Sequence, residues 1–198
     1  MMRRLAAFAL ACTLAAFAAS CSSPPARFYT LSPVASPGAT PSKLSVLVGP
    51  VSVPSAIERP QIVVTTGANQ VSIDDFNRWD APVQDNIARV VAENLVTILG
   101  TPRVTLFQSS LGAEAEYRVQ IEVRNFESAP GKYASLDAVW TVRRIKDAKL
   151  ETGRSSVREA TADGSYEALA AAHSRAVARL SQDIADAIRV LAGAAPGR

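Results

Sequence analysis

Residues 117–124 alternate without a slip. Tyr117, Val119, Ile121 and Val123 are apolar, while Arg118, Gln120, Glu122 and Arg124 are polar. Successive strand side chains point to opposite faces, so this stretch offers one face to a core and the other to water. A strand of that kind favours an antiparallel sheet, because parallel sheets are covered on both faces. Leu136, Ala138, Trp140 and Val142 repeat the pattern, Asp147-Ala148 offers a turn, and Lys149 to Glu159 returns as a more polar partner strand. Asn125-Phe126 breaks the parity and predicts a bulge there.

An apolar sheet face needs a covering layer. Two stretches at helical spacing supply it. Val83, Ile87, Val90, Val91, Asn94, Leu95 and Ile98 recur at three and four, the period of an amphipathic helix. Asp80 reads as its N-cap and Pro82 as its first turn, and Gly100 and Pro102 stop it. Ser165 caps a second helix from Tyr166 to about Leu191, with a stripe of Leu169, His173, Ala176, Leu180, Ile184, Ile188 and Leu191; Gly193 and Pro196 end it.

Earlier in the chain, Arg27-Phe28-Tyr29-Thr30-Leu31 is β-rich, and Ser32 to Ser42, with Pro33, Pro37 and Pro41, reads as an irregular connection. Leu44 to Val53 reads as a strand whose Pro50 demands an edge position or a bulge. Ile62–Thr65 and Gln70–Ile73 form a hairpin about Gly67-Ala68-Asn69, and Arg103–Phe107 is a short strand. The fold expected over 27–192 is a single α+β layered domain: one largely antiparallel or mixed sheet packed by two amphipathic helices. Residues 193–198 are expected to be a disordered tail.

The N-terminus is of another kind. Arg3 and Arg4 precede an apolar run from Leu5 to about Ala19, shorter than the ~20 residues that span a bilayer. A basic start, a short apolar run and small residues mark 1–20 as a secretory signal. The small residues Ala18-Ala19-Ser20 stop at Cys21, so the stretch resembles the lipobox of bacterial lipoproteins. That resemblance implies cleavage before Cys21 and acylation of it. Ala16-Phe17-Ala18 also fits the cut of a soluble secreted protein. Residues 21–26 are then a lipidated tether, whose Ser22 to Ala26 reach at most ~17 Å.

Removal of 1–20 takes Arg3, Arg4 and Cys12 with it. Basic residues fall from 21 to 19 against 18 acids, a net charge of +1. Nothing there matches a nucleic-acid footprint. Cys21 becomes the only cysteine and His173 is the only histidine. A disulfide framework, a zinc site of the usual nitrogen and sulfur ligands, and Cys–His catalysis are all excluded. No dinucleotide, P-loop or nucleophile-elbow motif occurs. No catalytic residue, metal ligand or cofactor is assigned, and the chain is not read as an enzyme.

Five residues are candidates for partner binding. Arg59, Pro60 and Gln61 form either a partner-facing loop or the turn into the hairpin, where proline sets the geometry. Arg78 and Trp79 are residue types that dominate interfaces, although Trp79 also fits a hydrophobic staple on the first helix. Trp140 and His173 are read as core residues. Arg118, Arg124, Arg143, Arg144, Lys146 and Lys149 are read as a solvated sheet face, with anionic lipid or an acidic subunit as the alternative.

Four patches, taken with the lipobox, carry a wider likeness: Arg27-Phe28-Tyr29-Thr30-Leu31, Glu58-Arg59-Pro60-Gln61-Ile62-Val63, Arg78-Trp79-Asp80-Ala81-Pro82 and Leu136-Asp137-Ala138-Val139-Trp140. Together they resemble the ABC-type transport auxiliary lipoproteins, the PqiC-like family. The resemblance implies an outer-membrane lipoprotein facing the periplasm, anchored through Cys21. It implies work with an MCE-domain tunnel protein, and indirectly with an inner-membrane permease and ATPase, in lipid transport between membranes. It also implies a ring-forming homo-oligomer. The alternative within the same setting is a periplasmic lipid carrier with its own apolar cavity.

Overall fold

The computed structural model describes residues 24–37, 41–107 and 114–193. The signal, Cys21 and residues 194–198 of the expected tail lie outside them. The elements run β1 (Arg27–Tyr29), β2 (Val46–Ser52), a short 3-10 turn (Ser55–Ile57), β3 (Gln61–Gly67), β4 (Gln70–Trp79), α1 (Val83–Leu99), β5 (Val104–Leu106), β6 (Tyr117–Ala129), β7 (Tyr133–Arg144), β8 (Leu150–Ala160) and α2 (Tyr166–Ala192). The α+β class stands, but the single expected sheet is two. One has three strands in the order β1-β4-β3, and the other has five in the order β5-β2-β6-β7-β8.

The division comes from β4, which runs six residues past the expected Ile73. Its first part pairs antiparallel with β3, and its last part pairs parallel with β1, Phe28 opposite Arg78 and Tyr29 opposite Trp79. Between the two parts the register shifts. Asp74 holds that irregularity by accepting from the Phe76 and Asn77 N–H groups at 2.8 and 3.0 Å. The first strand and the hairpin therefore form a sheet of their own.

In the five-stranded sheet, β6-β7-β8 is the expected antiparallel meander, with the predicted shift between Val123 and Asn125. β2 is no edge strand: it lies between β5 and β6 and is parallel to both. The bulge expected at Pro50 is there, between Val48 and Val51. A residue without an N–H is harmless where the ladder is interrupted.

Tyr117, Val119, Ile121, Leu136, Ala138, Trp140 and Val142 are buried and join one core cluster with the stripes of both helices. The helices are also tied through polar atoms. Asn94 Nδ2 donates to Ser181 Oγ at 3.2 Å, and Asn94 Oδ1 accepts from the N–H groups of Val34 and Ala35. A buried amide is stabilising only when its donors and acceptors are matched, and here it also holds the irregular segment after β1. Ser165 caps α2 as expected, its hydroxyl accepting from Ala168 N–H at 3.1 Å. Asp80 does not cap α1. Pro82 takes the cap position, and the Asp80 carboxylate accepts from Asn86 Nδ2 at 2.9 Å instead. The chain turns into the helix two residues later than the motif suggests, which leaves Asp80 as a brace across the turn.

Candidate functional site

The predicted residues do converge, at the corner where β4 hands over to α1. Trp79 N–H donates to the Pro60 carbonyl at 2.7 Å, and Asp80 N–H donates to the Tyr29 carbonyl at 2.9 Å. Gln61 lies opposite Arg78 in the β3–β4 ladder. Around this corner is an open groove of about 270 Å3, lined by Glu58, Arg59, Pro60, Trp79, Asp80, Ala81, Pro82 and Gln84. Two prolines and the indole give it an apolar floor, with Glu58, Arg59 and Asp80 at the rim. A shallow groove of that make-up can take a partner's side chain. It brings together no nucleophile and base, and among the described residues no cluster could hold a metal ion.

The five candidates do not all remain surface residues. Arg59 and Pro60 are exposed, and Gln61 and Arg78 are half-buried. Arg78 Nε donates to the Asp75 carbonyl at 2.8 Å. Trp79 is only 5% exposed, which removes it as a projecting anchor. Its burial follows from strand parity: Asn77 and Trp79 share the inner face of β4, while Arg78 points outward. The indole packs edge-on against Phe126 and His173, each with ring centroids 6.1 Å away. It belongs to the join between the two sheets, in one buried cluster with Val83 of α1, the residue on which a staple would pack.

His173 sits in the same join. It is fully buried, stacked on Phe126 at 3.8 Å, with Nε2 2.8 Å from Ser128 Oγ. Burial pushes its pKa down to about 3, so the ring is neutral at physiological pH. It is the core histidine that its place on the stripe indicates. Trp140 is core as well, its Nε1 donating to Ser155 Oγ at 3.0 Å, and Ser155 Oγ in turn donating to Asp183 at 2.5 Å.

Behind the groove lies a polar network that no local pattern announces. Asp74 accepts from Tyr166 Oη at 2.9 Å and from Asn77 Nδ2 at 2.8 Å, and Tyr29 Oη donates to Asn77 Oδ1 at 2.8 Å. Burial raises the Asp74 pKa, but the donors from Asn77, Phe76 and Tyr166 outweigh it and hold the carboxyl below its ordinary value. Burial, and then that same carboxylate, push the Tyr166 hydroxyl up to about 12. The partners are 92 positions apart, so only the folded topology reveals them. Arg118, Arg124, Arg143, Lys146 and Lys149 are exposed, as the solvated reading has them, but Arg144 is not: on the parity of buried Val142, its side chain is 13% exposed, donates to the Leu191 carbonyl of α2 and pairs with Asp147 at 2.6 Å.

No curated protein matches the chain at a significant level. Two crystal structures share the fold. One, of an uncharacterized protein, superposes with a TM-score of 0.68 at 18% identity, covering 83% of this chain and 99% of its own. The other is protein XCC0632 from Xanthomonas campestris, with a TM-score of 0.67 at 19% identity, covering 84% and 96%. The sequence pattern of the ABC-type transport auxiliary lipoprotein component matches residues 29–185. That span starts inside β1, crosses the groove and both sheets, and ends in α2. The patches read from the sequence all fall within or against it, and so the chain belongs to the ABC-type transport auxiliary lipoprotein family.

Proposed function

We propose that this protein is the docking lipoprotein of an MCE-type intermembrane lipid transport system. In this reading it is held on the periplasmic face of the outer membrane through acylated Cys21, and it meets the tip of a periplasm-spanning tunnel. It performs no catalytic step and uses no cofactor. An inner-membrane permease and ATPase act through the tunnel and not on this chain directly.

The observation that carries the reading is a filled interior in a member of a transport auxiliary family. Leu95, Leu136, Leu169, Leu180, Ile184 and Ile188 are fully buried side chains of one cluster between sheet and helices. A carrier needs a concave apolar cavity. The groove at the Arg59-Pro60 corner, at about 270 Å3, suits one inserted side chain, and the larger cleft of about 690 Å3 between β1 and α2, beside Tyr29, Ala170 and Ala171, is open to solvent and not an enclosed apolar cavity. With its interior occupied, the protein acts by surface contact. The groove, with Arg59, Pro60, Gln61 and Arg78 around it, is the partner-facing surface. Copies closed into a ring would repeat one heterologous interface about an axis.

The test is co-purification of the acylated protein with the MCE-domain protein encoded nearby. Wild type is expected to be retained and to sediment above monomer mass, and Arg59→Glu is expected to lose most of the complex. A strictly monomeric protein that carries stoichiometric lipid and ignores the MCE protein would replace docking with the carrier.

A further inference from the structure

The outer faces of the two sheets differ in what they can tolerate. In the three-stranded sheet, Ile62 and Val64 point into the core. The opposite face carries Val63 and Thr65 of β3, with Ile73 and Val71 of β4 as their partners in register. Phe28 of β1 shares that side, since it pairs with Arg78 on the side opposite buried Trp79, and Phe76 lies two positions before Arg78. Four of these side chains are open to solvent: Phe28 is 64% exposed, Val71 61%, Ile73 45% and Phe76 40%. Large apolar side chains gathered on one face mark an interaction surface.

We infer that this face lies on the lipid interface of the membrane that holds Cys21. The inference rests on the anchoring proposed above. Cys21 precedes Phe28 by 28 − 21 = 7 residues, at most ~24 Å of extended chain. β1 therefore delivers the anchored chain directly into this sheet, and no other sheet lies so near the acyl chains along the chain. Arg78 lies on this side opposite Phe28, and exposed Arg59 comes two residues before Gln61, the β3 partner of Arg78. Cationic groups around an aromatic and aliphatic patch complement an anionic headgroup layer. Two or three acyl chains already hold a protein firmly. The patch then sets orientation: it lays the sheet on the bilayer and turns the rest of the domain toward the periplasm.

The mature chain has no cysteine other than Cys21, so a cysteine introduced elsewhere is labelled alone. Phe28→Cys, Ile73→Cys and Phe76→Cys, with Thr152→Cys on the outer face of β8 as control, are each tagged with a polarity-sensitive dye. The acylated proteins are placed on vesicles of phosphatidylethanolamine and phosphatidylglycerol, with and without a quencher in the acyl chains. Dyes at 28, 73 and 76 are expected to emit at shorter wavelength and to lose most of their intensity to the quencher, while the dye at 152 does neither. Vesicles that float with the protein but leave all four dyes alike overturn this inference and leave the anchor intact. A shift to shorter wavelength that the lipid quencher cannot touch also overturns it, since a second copy or another protein then covers the face. Protein that fails to float with the vesicles overturns the anchor, and this inference with it.

Discussion

The two sheets of this protein are finished differently on their outer sides. On the five-stranded sheet the register sets Gln120 next to Thr141 next to Thr152, and places Glu122 and Arg154 on either side of Val139. Arg154 reaches Asp137 at 2.6 Å, and Arg158 lies 3.9 Å over the Tyr133 ring. Those exposed pairs add little stability, but they suit water and they fill the free side of an edge strand with charge, which discourages wrong pairing. On the three-stranded sheet the corresponding side is phenylalanine, valine and isoleucine. One sheet is complete as it stands. The other leaves apolar side chains uncovered, and the strand that enters it, β1, is the one closest to Cys21 along the chain.

The sharpest way to break the comparison is to remove the side chain on which the complete sheet depends. Trp140 spans from β7 onto β8, where Gly153 lies opposite it. A Cβ at 153 would fall inside the indole ring, so the strand can pass only because that position is glycine. Trp140→Ala empties this space and removes the donor to Ser155 Oγ, which keeps only its bond to Asp183. A loss of about 3–5 kcal/mol is expected, read as a lower urea midpoint at unchanged slope. A loss near zero would mean that β8 contributes nothing to the cooperative unit, and the five-stranded sheet would not be the complete one.

The second test acts on the join between the sheets, where His173 packs against Phe126 of β6 and Trp79 of β4. The folded pKa of His173 is about 3, below its unfolded value of about 6.5. Between these limits the unfolded chain binds a proton that the folded chain refuses. The stability from this group is complete above pH 6.5 and falls as pH drops toward 3, by about 1.4 kcal/mol per unit. From pH 7 to pH 5 wild type should lose about 2 kcal/mol more than His173→Gln, which cannot titrate. Carboxylates contribute equally to both proteins and cancel. Equal slopes for the two proteins would place water at His173 and open the join.

How much of this was legible in the sequence depended on the range of each contact. The meander, both helix stripes, Trp140 and His173 follow from periodicity, because period two or 3.6 is a property of neighbours in the chain. The Asp80 cap failed for a local reason: Asn86, one turn into α1, competes for the carboxylate. The second sheet was not legible. It depends on β1 pairing with residues about 50 positions later, and parallel pairing leaves no hairpin signal. The groove was half legible. Arg59-Pro60 and Arg78-Trp79 stood out by residue type, but which side of β4 Trp79 would take required the strand to extend past Ile73. The Asp74–Tyr166 contact had no sequence signal at all.

The smallest expected effect sharpens the comparison most. Phe28→Ser and Ile73→Ser each remove a large apolar side chain from a sheet, as Trp140→Ala does, but from the uncovered side. In the lone domain these side chains already meet water, so their loss takes little apolar area out of burial, and surface changes of this kind stay within about 0.5 kcal/mol. Neither belongs to the inner cluster: Phe28 sits opposite half-buried Arg78, and Ile73 opposite half-buried Val63. The double variant should therefore unfold at nearly the wild-type urea concentration when assayed without lipid. A destabilisation near 2 kcal/mol would show that the outer face is packed within the monomer after all, and the contrast between a finished and an unfinished sheet would fail. An unchanged midpoint leaves those apolar side chains with no work to do inside the fold, so what they serve lies outside it.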